Sequence, residues 1–406
     1  MFPRPWGPLR GSHPPALGRT MFRFHHLLLG CCAGLACTSS TISPRVLSDA
    51  QWLGFPEARV TLSAGGSKAR GLHVADVDGD GVKDLVLVAS QEEQVCIHQG
   101  VGRGGFAAPR CLAAGTTPMD VAVSDVNGDG RQDLLIVGHF SNALTVRLGA
   151  ADGAFLAGIP YSLGNHSQQV RVADLDGDGH LDAITKNAGS AGFWNITSLK
   201  GRGDGSFGEA VPHSVTGLPR DLVVADVNDD ALPDVLVLNT NSFTVDILLA
   251  RKDEKLTAVP PLKLSGSADD EPFRLAPVEV NGDGKLDLVI THGLSDSGYL
   301  SLHLGDGKGG FTSTQSILAN EPGEVVVADF NQDGRSDIAH AGMSGGVYLL
   351  LGAADGQLGA PMRVASSVTP TSLVAEDLDA DGFPDLAWTT PDSVEVLLGS
   401  TTRGEP

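Results

Sequence analysis

Short apolar runs separated by acidic or glycine-rich turns repeat along most of this chain. Runs such as Val121-Ala122-Val123 and Leu85-Val86-Leu87-Val88 are rich in β-branched residues and have no helical period. In each repeat, two runs flank an acidic loop, a third follows a variable loop, and a fourth leads to the next repeat. The pattern therefore predicts units of four short antiparallel strands.

The acidic loop has the form D-x-[DN]-x-D-G-x-x-D and occurs seven times, with Glu279 and Ala231 as exceptions at its first and sixth positions. The copies begin at Asp76, Asp125, Asp174, Asp226, Glu279, Asp329 and Asp377, at intervals of 49, 49, 52, 53, 50 and 48 residues. Such a period is typical of stacked or ringed supersecondary units. Seven four-stranded units around one axis predict an all-β fold, a seven-bladed β-propeller of antiparallel blades.

The two ends of the repeat region predict how the ring closes. The seventh unit stops after the run Val394-Glu395-Val396-Leu397-Leu398, without a closing aromatic residue or a fourth strand. The segment from Gly54-Phe55-Pro56 to Arg59-Val60-Thr61-Leu62 has the form of the missing piece. An N-terminal strand that completes the last blade would remove an exposed sheet edge. The propeller is expected to span residues 51–400.

The loops carry the chemistry of a hard-cation site. Oxygen ligands on alternating residues, followed by a glycine at the sixth position, suit Ca²⁺. In the first loop the candidate ligands are Asp76, Asp78, Asp80, the backbone carbonyl of Val82, and Asp84. The corresponding residues of the other loops are Asp125, Asn127, Asp129, Arg131 and Asp133; Asp174, Asp176, Asp178, His180 and Asp182; Asp226, Asn228, Asp230 and Asp234; Glu279, Asn281, Asp283, Lys285 and Asp287; Asp329, Asn331, Asp333, Arg335 and Asp337; and Asp377, Asp379, Asp381, Phe383 and Asp385.

These loops predict up to seven bound Ca²⁺ ions, and the sites are not expected to be equal. Ala231 lies where a left-handed backbone costs a non-glycine residue on the order of 1 kcal/mol, so the site at Asp226 is expected to be the weakest. The longer side chain of Glu279 is expected to shift the geometry of its loop. The alternative is that the acidic residues cap turns without a metal. That alternative does not explain the repeated convergence of carboxylates.

The repeated unit resembles the FG-GAP (VCBS-type) repeat, which forms the integrin α-subunit propeller and occurs in many bacterial secreted proteins. The resemblance extends over about residues 51–400, and seven copies in register carry it. It implies that each metal joins the first two strands of a blade. Some polysaccharide lyases also resemble this fold and use calcium with basic residues.

Residues 1–40 have the features of a targeting segment. From Met21, a short basic start precedes an apolar run and then small residues, as in a secretory signal. Gly34-Leu35-Ala36-Cys37 resembles a lipoprotein cleavage box with Cys37 as the lipidated residue, and Cys31 lies in a second such sequence. An ordinary secretion signal with incidental cysteines remains open. The expected location is extracellular, or periplasmic and outer-membrane as a lipoprotein.

Cysteines and aromatic residues give two further candidate features. Cys96 and Cys111 flank a glycine turn, so an antiparallel hairpin would bring them together as a disulfide or as two free thiols. Phe140, Phe193, Trp194 and Phe243 fall in or beside the loops between the second and third strands of neighbouring blades. They would form a ligand-binding platform on the face opposite the acidic loops, or pack between blades.

Charge and motifs limit the choice of function. The formal net charge of −21 makes nucleic acid and anionic membrane surfaces poor partners. We expect a monomeric, non-enzymatic recognition or adhesion module for a protein or glycan, with the membrane reached only through a lipid anchor. The alternatives are a calcium-dependent carbohydrate-active enzyme of the lyase type and a scaffold without its own ligand. The enzyme would need a cationic cluster beside calcium, whereas Arg70, Arg220 and Arg274 are expected to be ordinary exposed residues.

Overall fold

Seven antiparallel sheets follow one another along the chain. The computed structural model describes Phe55 and residues 59–163, 166–188, 194–252, 255–266, 270–293, 298–366 and 368–400. The targeting segment, including Cys37, and Phe193 lie outside these residues. Among the described residues, no helix is long and apolar enough to cross a membrane. The expected seven-bladed β-propeller is confirmed.

The strands are grouped by blade as follows. The N-terminal strand is β1 (Arg59–Ser63). Blade 1 contains β2 (Ala69–Ala75), β3 (Asp84–Ala89), β4 (Gln94–His98) and β7 (Arg110–Ala113), with a small hairpin of β5 (Gly100–Gly102) and β6 (Gly105–Phe106). Blade 2 contains β8 (Pro118–Ser124), β9 (Asp133–Gly138), β10 (Ala143–Arg147) and β11 (Ile159–Ser162), with a 3-10 helix over Ala151–Gly153. Blade 3 contains β12 (Ser167–Ala173), β13 (Asp182–Ala188), β14 (Trp194–Gly201) and β15 (Phe207–Ser214).

The remaining blades repeat this order. Blade 4 contains β16 (Pro219–Ala225), β17 (Asp234–Asn239), β18 (Thr244–Leu249), β19 (Thr257–Ala258) and β20 (Leu262–Lys263). Blade 5 contains β21 (Pro272–Val278), β22 (Asp287–His292), β23 (Tyr299–Gly305) and β24 (Phe311–Leu318). Blade 6 contains β25 (Pro322–Ala328), β26 (Asp337–Gly342), β27 (Val347–Leu350) and β28 (Met362–Ala365). Blade 7 contains β29 (Ser372–Glu376), β30 (Asp385–Thr389), β31 (Ser393–Leu397) and β1.

The N-terminal strand closes the ring, as the sequence predicts. Strand β1 pairs antiparallel with β31, with Val60 opposite Val396 and Leu62 opposite Val394. Phe55, just before β1, lies with its ring centroid 6.0 Å from that of Phe330 in blade 6. It therefore takes the place of the closing aromatic residue that the seventh repeat lacks.

Seven apolar clusters lie between neighbouring blades, and one of them joins blade 7 to blade 1. Alternating side chains of each second strand enter two different clusters. In β3, for example, Leu85 and Leu87 face blade 7, whereas Val86 and Val88 face blade 2. Since a blade buries both faces against its neighbours, most of the hydrophobic stabilisation depends on the completed ring.

Cys96 of β4 and Cys111 of β7 lie opposite each other in the ladder of blade 1. The structure joins them in a disulfide that closes a separation of 15 residues. The sequence left open a disulfide or two free thiols, and the structure contains the disulfide. The bond ties the outermost strand of the blade to its third strand.

Candidate metal centres

The first residue of each acidic loop organises the loop backbone. In the first loop, Oδ1 of Asp76 accepts hydrogen bonds from the backbone N–H groups of Gly79 and Asp80, at 2.7 and 3.1 Å, and Oδ2 accepts one from Gly81 at 2.9 Å. Asp125 and Asp174 repeat this pattern at their own positions. Converging N–H donors stabilise the ionised form of the carboxylate.

The loop at Glu279 departs from this pattern. One oxygen of Glu279 accepts from the backbone N–H groups of Asn281 and Gly282, at 3.0 and 2.5 Å. These donors come two and three residues after the acid, whereas Asp76 also reaches the groups four and five residues later. The longer side chain therefore holds the loop in a different set of hydrogen bonds.

Two positions in each loop have a left-handed backbone. The sixth position has φ between 69° and 91°, with Ala231 at 69° and glycine at the other six. The fourth position is left-handed as well, including Asp229, Gln332 and Ala380 at 59°, 55° and 63°. Only the sixth position was expected to be left-handed, although glycine at the fourth position in four of the seven loops was the available signal.

The last acidic residue of each loop has a structural role that the loop motif does not reveal. Oδ2 of Asp84 accepts from the N–H of Val77 at 2.8 Å, and Oδ1 accepts from that of Gly100 at 2.8 Å. All seven loops have both bonds; the other acids are Asp133, Asp182, Asp234, Asp287, Asp337 and Asp385. Each buried carboxylate thus fixes its loop to the end of the third strand.

Three of the loops bring three carboxylates together. In each group, one oxygen from every acid lies within 4.8 Å of the other two; the groups are Asp76, Asp78 and Asp84; Asp174, Asp176 and Asp182; and Asp377, Asp379 and Asp385. Burial, opposed by backbone hydrogen bonds and supported by the neighbouring carboxylates, raises the pKa of Asp182 to about 6 and that of Asp385 to about 7. A divalent cation would offset this repulsion, and an all-oxygen donor set suits a hard cation.

An unpartnered oxygen supports the fit. Oδ1 of Asp176 is buried and has no hydrogen-bond partner. Such an atom is costly unless a cation or another donor satisfies it. The loops with Asn127, Asn228, Asn281 and Asn331 at the third position offer an amide oxygen where the three groups above have a carboxylate. The backbone carbonyls expected as ligands at the seventh position stay a prediction.

Basic side chains cover part of the negative charge. Lys200 pairs with Asp176 and with Asp178, in the second case at 3.0 Å. Arg131 pairs with Asp129, and Arg335 with Asp333. Lys285 lies 3.5 Å from Asp283. These cations would compete with a bound metal for the same oxygens, so the loops differ in more than their ligand types.

The aromatic residues proposed for the loop face have different surroundings. Phe140 is 61% exposed and its ring lies 4.6 Å from that of His139 and 5.7 Å from that of His166. Phe243 packs against the cluster between blades 4 and 5. Trp194 is half-buried at the start of β14. The interpretation of packing between blades therefore applies to Phe243, while Phe140 is available to a ligand.

The expectation for the three arginines was wrong in part: Arg220 is exposed as expected, whereas Arg70 and Arg274 are partly buried. Arg70, Arg220 and Arg274 line a central channel rather than the outer surface. They lie within the first strands of their blades, near the strand beginnings, whereas the acidic loops follow the strand ends. This location separates them from the loops, so they do not form the cationic cluster beside calcium that a lyase would need. The location of the arginines follows from the direction in which the first strands run inside the ring. Single positions in the sequence do not reveal this direction.

The sequence matches a known family over most of the repeat region. The family described as an FG-GAP-like repeat matches residues 76–136, 125–185, 226–290, 279–340 and 329–388. Each match begins at the first residue of an acidic loop and ends in or near the second strand of the next blade. No curated protein matches the chain significantly.

Solved structures share the fold at low sequence identity. BBS1N, from a crystal structure in complex with ARL6DN soaked with mercury, is 11% identical with a TM-score of 0.60, covering 87% of this chain and 99% of that one. A protein from Lactobacillus plantarum is 15% identical with a TM-score of 0.54, covering 74% and 86%. A functionally unknown protein from Desulfotomaculum acetoxidans DSM 771 is 12% identical with a TM-score of 0.51, covering 74% and 90%. At these identities the likeness concerns the fold alone.

Proposed function

Because this chain belongs to the FG-GAP-like repeat family, we propose that it is a calcium-stabilised, exported β-propeller that recognises a protein or glycan without catalysing a reaction. The observation that carries the proposal is the convergence of three aspartates in three corresponding loops. Catalysis would require a further set of reactive groups near a substrate, whereas the loop carboxylates are engaged in holding strands together. The role of the metal is therefore structural.

Calcium would act on stability through two connected effects. It would neutralise carboxylates that repel one another, and it would join the first two strands of a blade at the loop. A ligand that binds only the folded protein stabilises it by mass action. Since the blades depend on their neighbours for burial, stabilising several loops would stabilise the whole ring.

The metal proposal is tested by calcium titration of the purified protein and of a variant with Asp78→Ala, Asp176→Ala and Asp379→Ala. A matched control changes three aspartates of the glycine turns outside the acidic loops, Asp204→Ala, Asp306→Ala and Asp355→Ala. We expect the loop variant to bind three fewer ions than the unchanged protein and the control to bind the same number. Equal stoichiometry in all three proteins would contradict the assignment.

Recognition is assigned to the face opposite the acidic loops. Phe140 supports this choice because a large, exposed aromatic side chain in a loop offers apolar contact to a partner. The proposed setting is outside the cytoplasm, as a secreted monomer or anchored through lipid on Cys37. Mass spectrometry of the exported protein would identify a lipid on the N-terminal cysteine of the processed chain, and an unmodified N-terminus would refute the anchor.

The recognition proposal is tested with a glycan array and a panel of acidic polysaccharides, in millimolar calcium and in chelator. We expect calcium-dependent binding that is lost in Phe140→Ala with Trp194→Ala. The control variant, Leu318→Ala, removes another exposed apolar side chain on an outer strand. Absence of binding by a protein shown to be folded in calcium would exclude the glycans tested and leave a protein partner as the object of a search.

A further inference from the structure

A channel of about 920 Å³ runs through the centre of the ring. Its wall is formed by the first strands of all seven blades, with Lys186 entering from a second strand. The described lining contains six cationic side chains and four carboxylates, in a protein whose formal net charge is −21. The formal charge of the channel lining is therefore positive, whereas that of the whole protein is negative.

A repeated backbone irregularity shapes this wall. In six of the seven first strands the ladder with the second strand shifts by one residue near the strand beginning; the shifts fall between Arg70 and His73, Pro118 and Asp120, Ser167 and Gln169, Pro219 and Asp221, Pro272 and Arg274, and Pro322 and Val325. A bulge re-aims side chains and interrupts pairing. Five of the six shifts end at a polar residue of the channel lining: His73, Asp120, Gln169, Asp221 and Arg274.

Three of the four channel carboxylates are already used by the protein; the fourth, Glu376, is exposed at the end of β29. Asp120 accepts from the N–H of Val170 in the next blade at 3.1 Å and pairs with Arg171 at 3.0 Å. Asp221 accepts from the N–H of Leu275 at 3.0 Å and from Nε2 of Gln169 at 2.8 Å. The third, Glu324, pairs with Arg274. These acids join neighbouring blades, and they leave other cations of the channel without a carboxylate.

Four of the six channel cations form no ion pair with an acid among the described residues: Lys68, Arg70, Lys186 and Arg220. Nη1 of Arg70 donates to the sulfur of Met119, at 3.3 Å. Arg220 has its guanidinium carbon 4.0 Å from the ring centroid of Phe273, and Arg274 lies 4.6 Å from the same ring. Lys186 is 7% exposed, and its Nζ donates to the carbonyl oxygen of Arg220 at 2.6 Å.

Bringing these positive charges together in the channel has an electrostatic cost. Burial lowers the pKa of Lys186 to about 7, and burial together with the charge of Arg274 lowers the pKa of Arg220. A ligand anion would reduce this cost, since an arginine fork binds two oxygens of a carboxylate or sulfate at once. Gln169 also lines the channel, and it is only 9% exposed. Its Oε1 is buried and has no hydrogen-bond partner among the described residues. That oxygen can accept from a ligand hydroxyl.

We propose that the central channel is a binding site for a small organic oxyanion that also carries hydroxyl groups. Arg220 and Lys186, which are in contact, would hold the anionic group, Gln169 would accept from a hydroxyl, and Arg70 would add positive charge from the wall of blade 1. The channel volume falls in the range of small-molecule sites and exceeds what a bare inorganic anion needs. The inference goes beyond the proposed function, because the channel residues are separate from the acidic loops and from the aromatic residues of the loop face.

Isothermal titration of the full protein in calcium, at constant ionic strength, tests the proposal with three probes. D-glucuronate supplies a carboxylate with hydroxyls, sulfate supplies an oxyanion alone, and D-glucose supplies hydroxyls alone. The variants are Arg70→Gln and Arg220→Gln, with Arg202→Gln as the control because Arg202 is an exposed arginine of the outer turn between β14 and β15. Equal thermal midpoints of all variants establish that the fold is retained.

We expect saturable binding of glucuronate, weaker binding of sulfate, and none of glucose. Each channel variant should weaken glucuronate binding by about tenfold or more, and the control should leave it unchanged. Three results would overturn the proposal: no saturable binding of either anion with a Kd below about 10 mM, glucose binding as well as glucuronate, or glucuronate binding that both channel variants retain. Calcium stoichiometry does not enter this readout, so failure of the metal proposal is recognised separately.

Discussion

The left-handed alanine in the fourth acidic loop provides a sharp test of how the loops limit stability. Ala231 has φ 69°, close to the values of 78° to 91° for glycine at the same position of the other loops. Its N–H donates to Oδ2 of Asp226 at 2.7 Å, and the residue is exposed. The substitution Ala231→Gly therefore keeps the loop hydrogen bond and removes only a methyl group at the surface.

Two opposing free energies determine the outcome. A left-handed conformation costs a non-glycine residue about 1–2 kcal/mol, whereas glycine gains about 0.5–1 kcal/mol more backbone entropy in the unfolded chain. A Cβ built at Gly81, Gly130, Gly179, Gly284 or Gly334 meets no atom within 4 Å, so packing does not contribute at this position. We therefore expect Ala231→Gly to raise the free energy of unfolding by about 0.5–1 kcal/mol.

Equilibrium denaturation in calcium and in chelator is the suitable assay, because this gain shifts the thermal midpoint of so large a domain by only about 1 °C. The reciprocal variant, Gly81→Ala, should lose a similar amount, since φ there is 86° and the added methyl group has open space. A neutral Gly81→Ala, or a destabilised Ala231→Gly, would refute the reasoning. A gain seen only in calcium would mean that the loop becomes left-handed when the metal binds.

Three further predictions follow from side chains described above. Replacing Cys96 and Cys111 together by alanine should lower the free energy of unfolding by about 3 kcal/mol, because the disulfide closes 15 residues, and reductant should then have no further effect on stability. Lys186→Met should stabilise the protein by on the order of a few kcal/mol at pH 6, because the pKa of Lys186 falls from 10.5 to about 7 on folding. The unfolded chain therefore binds more protons between these two pH values, so the penalty of burying Lys186 is complete below pH 7 and disappears as pH rises toward 10.5. A pH-independent difference between the two proteins in chemical denaturation would contradict this sign. Lys200→Gln should raise the calcium affinity of the loop at Asp174 several-fold in a calcium titration, because the ammonium group of Lys200 pairs with two candidate ligands of that loop. The control Lys308→Gln, in a glycine turn of blade 5, should leave the calcium affinity unchanged.

The ring architecture could be predicted because its signals are local and repeated. The acidic loop fixes where the first and second strands meet, and a closing apolar residue marks the return toward the next blade. Even the closure by β1 was predictable, since Phe55 and the run from Arg59 complete a pattern present in the other repeats. Each of these inferences needed only the order of residue types along the chain.

The channel was not predictable from the same pattern. Asp120 and Arg171 are close only because two blades stand side by side. Four of the six bulges begin at a proline, but a proline by itself does not reveal which side chains face the channel. The double role of Asp84 was hidden for a related reason. Its partner Gly100 follows 16 residues later, at a distance set by the third strand rather than by the loop. Contacts of this kind depend on the completed tertiary structure.

The pairing of β1 with β31 has a consequence for the order of folding. Arg59 lies opposite Leu397, so the pairing joins segments that are synthesised at opposite ends of the propeller. Closing so long a loop costs chain entropy before any contact compensates it, and contacts of high sequence separation form slowly. Blade 7 must therefore be completed last, after the six blades between have emerged, and until then β1 has no partner. A chain rearranged to begin at β2 and to continue from β31 directly into β1 would complete blade 7 from neighbouring segments and should fold faster into the same ring.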